Sequence, residues 1–172
     1  DGTTAGTVMV KDIVSGSSSS SIYRATDIDG TVYFQANDGV HGDELWKSDG
    51  TAAGTVMVKD ISPGSSGTYI SLLTEFEGYA FFQAKGDLWK SDGTEEGTVM
   101  LKDINPGSNS SHVSSRIVGD DSTFFFFAND GSGDSLWKSD GTEIGTVKVK
   151  DFSLGMEITS PELGMAGSRV FF

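Results

Sequence analysis

The 172-residue chain has no cysteine, only three prolines and few basic residues, 12 against 25 acidic ones. The lack of cysteine excludes disulfides, thiolate metal sites and cysteine nucleophiles. A net charge of −13 repels phosphate backbones, so we expect no nucleic-acid partner. The apolar runs are short, far below the roughly 20 residues that span a bilayer, and no N-terminal stretch has signal-peptide features. We therefore expect no membrane insertion.

The sequence contains three series of internal repeats. Three copies of LWKSDGT lie at 45–51, 88–94 and 136–142. Four copies of a GTVMVKD-like string lie at 6–12, 54–60, 97–103 and 145–151. Three aromatic runs lie at 31–36, 79–84 and 123–128. The LWKSDGT copies and the GTVMVKD-like copies are 43 or 48 residues apart, which indicates a repeat architecture.

One repeat contains four short β-prone runs separated by Gly, Asp, Pro and Ser, and no helical periodicity. The predicted strands, called a, b, c and d, span 68–73, 79–84, 87–91 and 98–104. Four strands in a period of about 43–48 residues are typical of a β-propeller blade. A solenoid has shorter repeats, and an immunoglobulin-like sandwich does not repeat at this step. We therefore predict an all-β fold, a β-propeller of four-stranded antiparallel blades.

The repeats also predict the domain organisation. A lone strand d is expected at 7–13, full units at approximately 21–61, 68–104 and 113–152, and a partial unit at 157–172. Residues 1–172 thus correspond to about three and a half blades of a single propeller. Because an open array leaves sheet edges unpaired, we expect further chain or further copies to complete the ring. A four-bladed ring that lacks one strand is the alternative.

The segment ELWKSDGTAAGTVMVKDISPG at 44–64 resembles the ELWxxDGT repeat of bacterial surface and secreted proteins. The resemblance covers nearly the whole chain. It implies a β-propeller-like architecture and an extracellular or cell-surface location. The second and third copies have Asp87 and Ser135 where the first has Glu44, which leaves any shared role for Glu44 in doubt.

The repeated tryptophans and aspartates have two interpretations each. Trp46, Trp89 and Trp137 occur with the same neighbours in each unit, which favours a packing position between blades; an exposed platform for sugar stacking is the alternative. Asp49, Asp92 and Asp140 lie in SDGT turns, where Asp bonds the local backbone and Gly allows positive φ. Metal ligation by these aspartates is disfavoured, since calcium takes about six to eight oxygens.

The loops between strands b and c are acidic in two of the three units. Their oxygen donors are Asn37, Asp38, Asp43 and Glu44 in the first unit and Asn129, Asp130 and Asp134 in the third. Such donors could hold a hard cation, so calcium binding is one hypothesis. A Gly-rich hairpin turn without metal is the alternative, and the chain requires no cofactor.

The loops also predict where function lies. In a propeller, the b–c and d–a loops share one face, and these are the loops that vary between units. The only histidines, His41 and His112, have no counterparts in other units, so no catalytic residue is predicted. We expect a non-enzymatic extracellular module that binds a glycan, a protein or another cell-surface ligand. A self-assembling subunit of a surface layer or filament is the alternative, and a propeller hydrolase is less favoured.

Overall fold

A computed structural model describes residues 2–107, 110–119, 122–152, 163–166 and 169–171. Every regular element in this part of the chain is a β-strand, and the strands form four antiparallel sheets. The prediction of an all-β fold is confirmed. Among the described residues, no helix is long and apolar enough to cross a membrane.

Three sheets have four strands each, and every strand pairs with its neighbours in chain order. The first sheet contains β1 (Tyr23–Ile28), β2 (Thr31–Asn37), β3 (Asp43–Ser48) and β4 (Val56–Lys59). The second contains β5 (Ser71–Phe76), β6 (Tyr79–Ala84), β7 (Asp87–Ser91) and β8 (Val99–Lys102). The third contains β9 (Ser114–Gly119), β10 (Phe124–Asn129), β11 (Asp134–Ser139) and β12 (Val147–Asp151). A two-stranded sheet contains β13 (Gly164–Ala166) and β14 (Arg169–Phe171).

Two-residue turns fix the register of several hairpins. Asp29 and Gly30 have φ of 50° and 78°, and Glu77 and Gly78 have φ of 50° and 77°. Two successive residues with positive φ form the type I′ turn, whose twist matches that of an antiparallel hairpin. The turns therefore pair Ile28 with Thr31 and Phe76 with Tyr79.

The predicted bounds of strands b and c in the second unit, 79–84 and 87–91, coincide with β6 and β7. The predicted bounds of strand a, 68–73, are wrong, because β5 spans Ser71–Phe76. The backbone N–H of Thr68 donates to Asp43 O, and that of Ile70 donates to Gln35 Oε1 at 3.0 Å. These donors are thus used by the first repeat, and pairing with β6 begins only at Ser71.

The strand expected at 7–13 is not assigned as a strand. Each later copy of this segment pairs with an LWKS strand, as β4 does with β3, and no such strand precedes 7–13 in the described residues. Lys11 Nζ nevertheless donates to Thr55 O at 2.7 Å, much as Lys102 Nζ donates to Thr146 O at 2.8 Å. Of the partial unit expected at 157–172, residues 157–162, 167–168 and 172 lie outside the described residues.

The chain divides into two compact units, residues 1–70 and 71–172. In the first unit, Phe34, Ala36 and Trp46 form a buried cluster to which Ile13 and Met57 add partly buried contacts. In the second unit, the second and third sheets share a larger core. Its members are Phe76, Phe81, Leu88, Leu101, Ile104, Val113, Phe124, Phe126, Ala128 and Trp137.

The shared core of the second unit joins unlike faces of its two sheets. Phe81 and Leu88 lie on one face of the second sheet, since Phe81 pairs with Lys90 and Gln83 with Leu88. Phe126 and Trp137 pair with each other and lie on the facing surface of the third sheet. Phe82 and Trp89 of the second sheet correspond to Phe126 and Trp137. They stack with ring centroids 6.5 Å apart, on the face of the second sheet opposite to Phe81 and Leu88.

The tryptophans contribute to the core despite unpaired indole groups. Trp46 and Trp137 are each only 6% exposed. The Nε1 atoms of all three tryptophans are buried without a hydrogen-bond partner among the described residues. Burying roughly 200 Å² of indole is worth about 5 kcal/mol, whereas an unpaired buried donor costs about 1–3 kcal/mol. Hydrophobic burial is thus the larger effect.

The loop after each LWKS strand has the same hydrogen bonds in all three repeats. In the second, Asp92 Oδ1 accepts from Thr94 N at 2.8 Å and from Thr94 Oγ1 at 2.7 Å, and Thr94 Oγ1 accepts from Gly97 N at 2.9 Å. A Cβ on Gly97 would collide with the Asp92 carboxylate. The loop is therefore closed by its own side chains.

A pair of hydroxyl groups anchors this loop to its sheet. Thr98 Oγ1 lies 2.7 Å from Ser91 Oγ and donates to Thr94 O at 2.6 Å, and Thr98 is fully buried. Thr146 repeats these contacts with Ser139 and Thr142 at 2.7 and 2.6 Å, and it is also fully buried.

We expect Thr98→Val to lower the free energy of unfolding by about 1–2 kcal/mol, because it removes a buried hydroxyl at nearly constant volume. Urea titration measures the change. Thr146→Val is the matched variant and should lower stability by the same amount. A clear inequality between the two variants would contradict an equivalent role for the loop in both repeats.

Candidate functional site

The loops that vary between repeats meet at one end of each sheet. We call this the variable-loop end: residues 15–22, 36–44 and 61–70 in the first unit, and 84–87, 104–107, 110–113 and 128–135 in the second. In the first unit, Asn37 N donates to Ser20 O at 2.8 Å. In the second, Asn129 N donates to Ser111 O at 2.7 Å. The same backbone contact thus brings a b–c loop against a d–a loop in both units.

Glu44 has a structural position at this end. It is fully buried, and its two carboxylate oxygens accept hydrogen bonds from Ile61 N at 3.0 Å and Ser62 N at 3.2 Å. Burial raises the pKa of Glu44, and these two hydrogen bonds oppose the rise. Asp87 and Ser135 occupy the same register position and instead bond Ser111 and Asp151. Glu44 therefore fixes the chain that leaves β4. The equivalent residues Asp87 and Ser135 also make side-chain hydrogen bonds, but to different partners.

The remaining predicted ligands of the first unit form a turn. Asn37 Oδ1 accepts from Gly39 N at 2.7 Å, and Asp38 Oδ1 accepts from Val40 N and His41 N at 2.9 and 2.8 Å. Asp38 Oδ2 lies 2.6 Å from His41 Nδ1. Partial burial raises the pKa of Asp38, but hydrogen bonds from the backbone and ring of His41 and from Val40 outweigh it and bring that pKa to about 2.

One predicted ligand of the third sheet, Asp130, contacts a lysine. Lys148 Nζ lies 2.5 Å from Asp130 Oδ2 and 2.7 Å from Asp151 Oδ1. The hydrogen bond from Lys148, together with that from Ser132, lowers the pKa of Asp130 to about 2. Asn129 Nδ2 donates to Asp134 Oδ1 at 3.2 Å. In the part of the chain that the structure describes, no three His, Asp or Glu side chains converge as a metal site, and calcium binding stays a prediction.

The first unit contains a cleft of about 510 Å³ at its variable-loop end. Its lining residues are Tyr23, Arg24, Gln35, Asp43 and Tyr69. The two tyrosines are 59% and 63% exposed, whereas Gln35 is 1% exposed and is held by Ile70 N. The volume lies within the range of about 300–1,000 Å³ that is usual for small-molecule sites.

A bulge in β1 directs Arg24 toward this cleft. The register shifts between Tyr23 and Thr26, and Arg24 has a φ of 57°. Bulges are a common means of redirecting a side chain. The Arg24 guanidinium lies over the Tyr69 ring, with Cζ 5.1 Å from the ring centroid, and Nη2 donates to the Tyr69 hydroxyl. This contact orders two long polar side chains on the exposed wall of the cleft.

Asp43 supplies the opposite charge. Its backbone carbonyl accepts from Thr68 N. Its Oδ1 atom is buried and has no hydrogen-bond partner among the described residues. Such an acceptor costs about 1–3 kcal/mol unless a partner reaches it. The cleft is therefore lined by a cation, an acidic residue and two aromatic rings.

Of these five residues, the sequence prediction included only Asp43, and it included that residue as a metal ligand. The sequence signal that could have identified the other four is a difference in residue type at equivalent positions of the aligned repeats. Tyr23 and Arg24 correspond to Ser71 and Leu72 in the second sheet, where the register shifts at the same place and Leu72 has a φ of 56°. Tyr69 corresponds to Ser21 and His112. Tyr23, Arg24 and Tyr69 are thus larger or more polar than Ser71, Leu72 and Ser21 at the equivalent positions, and only His112 is also large and polar.

We expect Glu44→Gln to lower the free energy of unfolding by about 1–2 kcal/mol. The NH₂ of the new glutamine would face the backbone N–H of Ile61 or Ser62, so one of the two hydrogen bonds would be lost. Urea titration checks this. Asp38→Asn is a control in the neighbouring loop and should cost less, since Asp38 is not fully buried. A Glu44→Gln protein as stable as the wild type would show that the two hydrogen bonds do not hold the chain after β4.

The Asp38–His41 pair predicts a pH dependence. The hydrogen bond to Asp38 raises the pKa of His41, so its contribution to stability is complete below about pH 6.5 and is lost as the pH rises through the folded-state pKa. The low pKa of Asp38 preserves its own contribution above about pH 4. His41→Ala should therefore lower the melting temperature more at about pH 5 than at about pH 8.5. His112→Ala is the control, and equal losses at both pH values would contradict the pairing.

Comparisons with known proteins assign no relationship to this chain. No family model matches it, and no curated protein and no solved structure matches it. The site therefore has to be interpreted from its own geometry.

Proposed function

We propose that this chain is a non-enzymatic extracellular binding module that holds a small ligand, or the exposed end of a larger one, in the cleft of its first unit. The observation that carries the proposal is the convergence of Arg24, Asp43 and Tyr69 on one cleft at the variable-loop end. Binding sites commonly lie on variable loops supported by a rigid scaffold. The four-stranded first sheet provides that scaffold.

The same proposal takes the scaffold to be a portion of a β-propeller of the ELWxxDGT-repeat type. Three four-stranded meanders with the same registers support it. In the second unit, the aromatic face of one sheet packs on the tryptophan face of the next, as successive propeller blades do. Extracellular location rests on the resemblance to repeat proteins of bacterial surfaces.

The composition of the cleft favours binding over catalysis. Among the described residues, Asp43 is the only carboxylate in its lining, and no described histidine, serine or lysine lines it. Glycoside hydrolysis generally uses two carboxylates, and a serine nucleophile needs an adjacent base. Tyrosine and arginine are instead the side chains that anchor ligands and partners.

Self-assembly is the second candidate function, and the segment 7–13 favours it. Residues 6–12 are identical in sequence to 54–60, of which Val56–Lys59 forms β4. Val8 and Met9 are 72% and 78% exposed, and an unpaired strand-forming segment can pair with another chain. Sedimentation velocity separates the two functions, because a monomer at all concentrations would contradict assembly.

We expect a thermal-shift panel of saccharides, amino acids and short peptides to contain at least one compound that stabilises the wild-type chain. At 100 times the dissociation constant, binding adds about 2.7 kcal/mol, or about 5–10 °C in melting temperature for a chain of this size. Tyr69→Ser, which copies Ser21, should abolish the shift. His112→Ser changes the equivalent position of the second repeat and should retain it.

Two results would contradict a binding cleft at this position. One is a panel in which no compound raises the melting temperature of the wild type. The other is a shift of equal size in the wild type and in Tyr69→Ser. Calcium should be included in the same experiment, because the acidic loops predict that it raises the melting temperature.

A further inference from the structure

The cleft has features that define the chemical class of its ligand. Resting on the proposed binding function, we propose that it holds a neutral saccharide unit whose adjacent hydroxyl groups bridge Arg24 and Asp43 while a face of the sugar ring packs on the tyrosines. Three properties of the cleft favour such a ligand: its charges, its hydrogen-bonding groups and its aromatic surface.

The cleft carries two opposite charges, Arg24 and Asp43, that do not neutralise each other. Arg24 and Asp43 both line the cleft, and neither takes part in an ion pair among the described residues. A ligand with a net negative charge would gain from Arg24 but be opposed by Asp43 and by the chain's net charge of −13. A ligand with a net positive charge would face the reverse conflict at Arg24. The pair therefore favours a ligand without net charge.

The hydrogen-bonding groups require both a donor and an acceptor from the ligand. Asp43 lines the cleft, and a carboxylate only accepts hydrogen bonds, so a ligand bound beside it has to supply a donor. A guanidinium carries five N–H donors, and the contact with the Tyr69 hydroxyl uses one nitrogen of Arg24. A hydroxyl group donates one hydrogen bond and accepts others. Two neighbouring sugar hydroxyls can therefore satisfy both residues.

A zwitterionic amino acid is the closest competitor, because its carboxylate and ammonium could pair with Arg24 and Asp43. Carboxylates bind arginine best through two parallel hydrogen bonds. Arg24 uses one N–H of Nη2 for the bond to Tyr69 and keeps four others, so a zwitterionic probe has to be compared with the neutral sugars.

The aromatic surface supplies the apolar part of the contact. Tyr69 is 63% exposed even though Arg24 lies over its ring, and Tyr23 is 59% exposed. Tyrosine combines an apolar ring with a polar hydroxyl and loses little conformational entropy on binding. The C–H face of a sugar ring can cover such a surface while its hydroxyl edge reaches Arg24 and Asp43.

Isothermal titration calorimetry with lactose, cellobiose and maltose as neutral probes tests this inference. Glucuronic acid and phenylalanine serve as the anionic and zwitterionic probes. We expect saturable binding of at least one neutral disaccharide, with an affinity that changes little with salt, because screening acts on charged ligands. The two charged probes should bind at least about tenfold more weakly.

Three variants locate the binding. Arg24→Leu copies Leu72, which the second sheet accommodates at the same bulge, and Tyr69→Ser copies Ser21. Each should weaken disaccharide binding at least about tenfold, and circular dichroism should show an unchanged fold. His112→Ser is the matched control and should bind as the wild type does.

The outcomes also separate this inference from the binding function on which it rests. Tyr69-dependent binding of phenylalanine or glucuronic acid without any neutral disaccharide would overturn the saccharide class and keep the binding cleft. Disaccharide binding that survives both Arg24→Leu and Tyr69→Ser would overturn the placement of the sugar in this cleft. Failure of every probe, together with a silent thermal-shift panel, would overturn both proposals.

Discussion

The pairing of each aromatic strand with the LWKS strand that follows it is the constraint on which the rest of the structure depends. The register is the same in all three repeats and sets Phe34 opposite Trp46, Phe82 opposite Trp89 and Phe126 opposite Trp137. Because side chains alternate along a strand, this register places the indole on one face of the sheet and the leucine beside it on the other. Both faces are consequently apolar, and both can be buried.

This arrangement determines which parts of the chain can vary. The loop after each LWKS strand is closed by the same aspartate and threonines in every repeat, so the residues that close it do not differ between the repeats. The opposite end consists of loops that meet through backbone contacts and tolerate different side chains. Arg24 and Tyr69 lie at that end. The candidate site is therefore a local change in side chains on a repeated backbone.

The repeat pattern was sufficient to predict an all-β chain, the positions of β6 and β7 and the turn-forming role of the SDGT segments, since these depend on local pairing and turn chemistry. Strand a was displaced because Thr68 and Ile70 use their N–H groups in the preceding repeat, a contact between residues about 25–35 positions apart. The segment 7–13 has the sequence of a strand but pairs with no strand among the described residues, and pairing, rather than propensity, makes a strand.

The sequence by itself determined the strand order, the turns and the repeated core, because each of these follows from residues close together in the chain. Only the tertiary structure decided which polar side chains share a cleft. Arg24 and Tyr69 are 45 residues apart, and a bulge with positive φ brings the guanidinium over the ring. The structure also separated Glu44, whose carboxylate is buried on backbone N–H groups, from Asp43, which lines the cleft. The physical reason is strand alternation, which sends adjacent side chains to opposite faces.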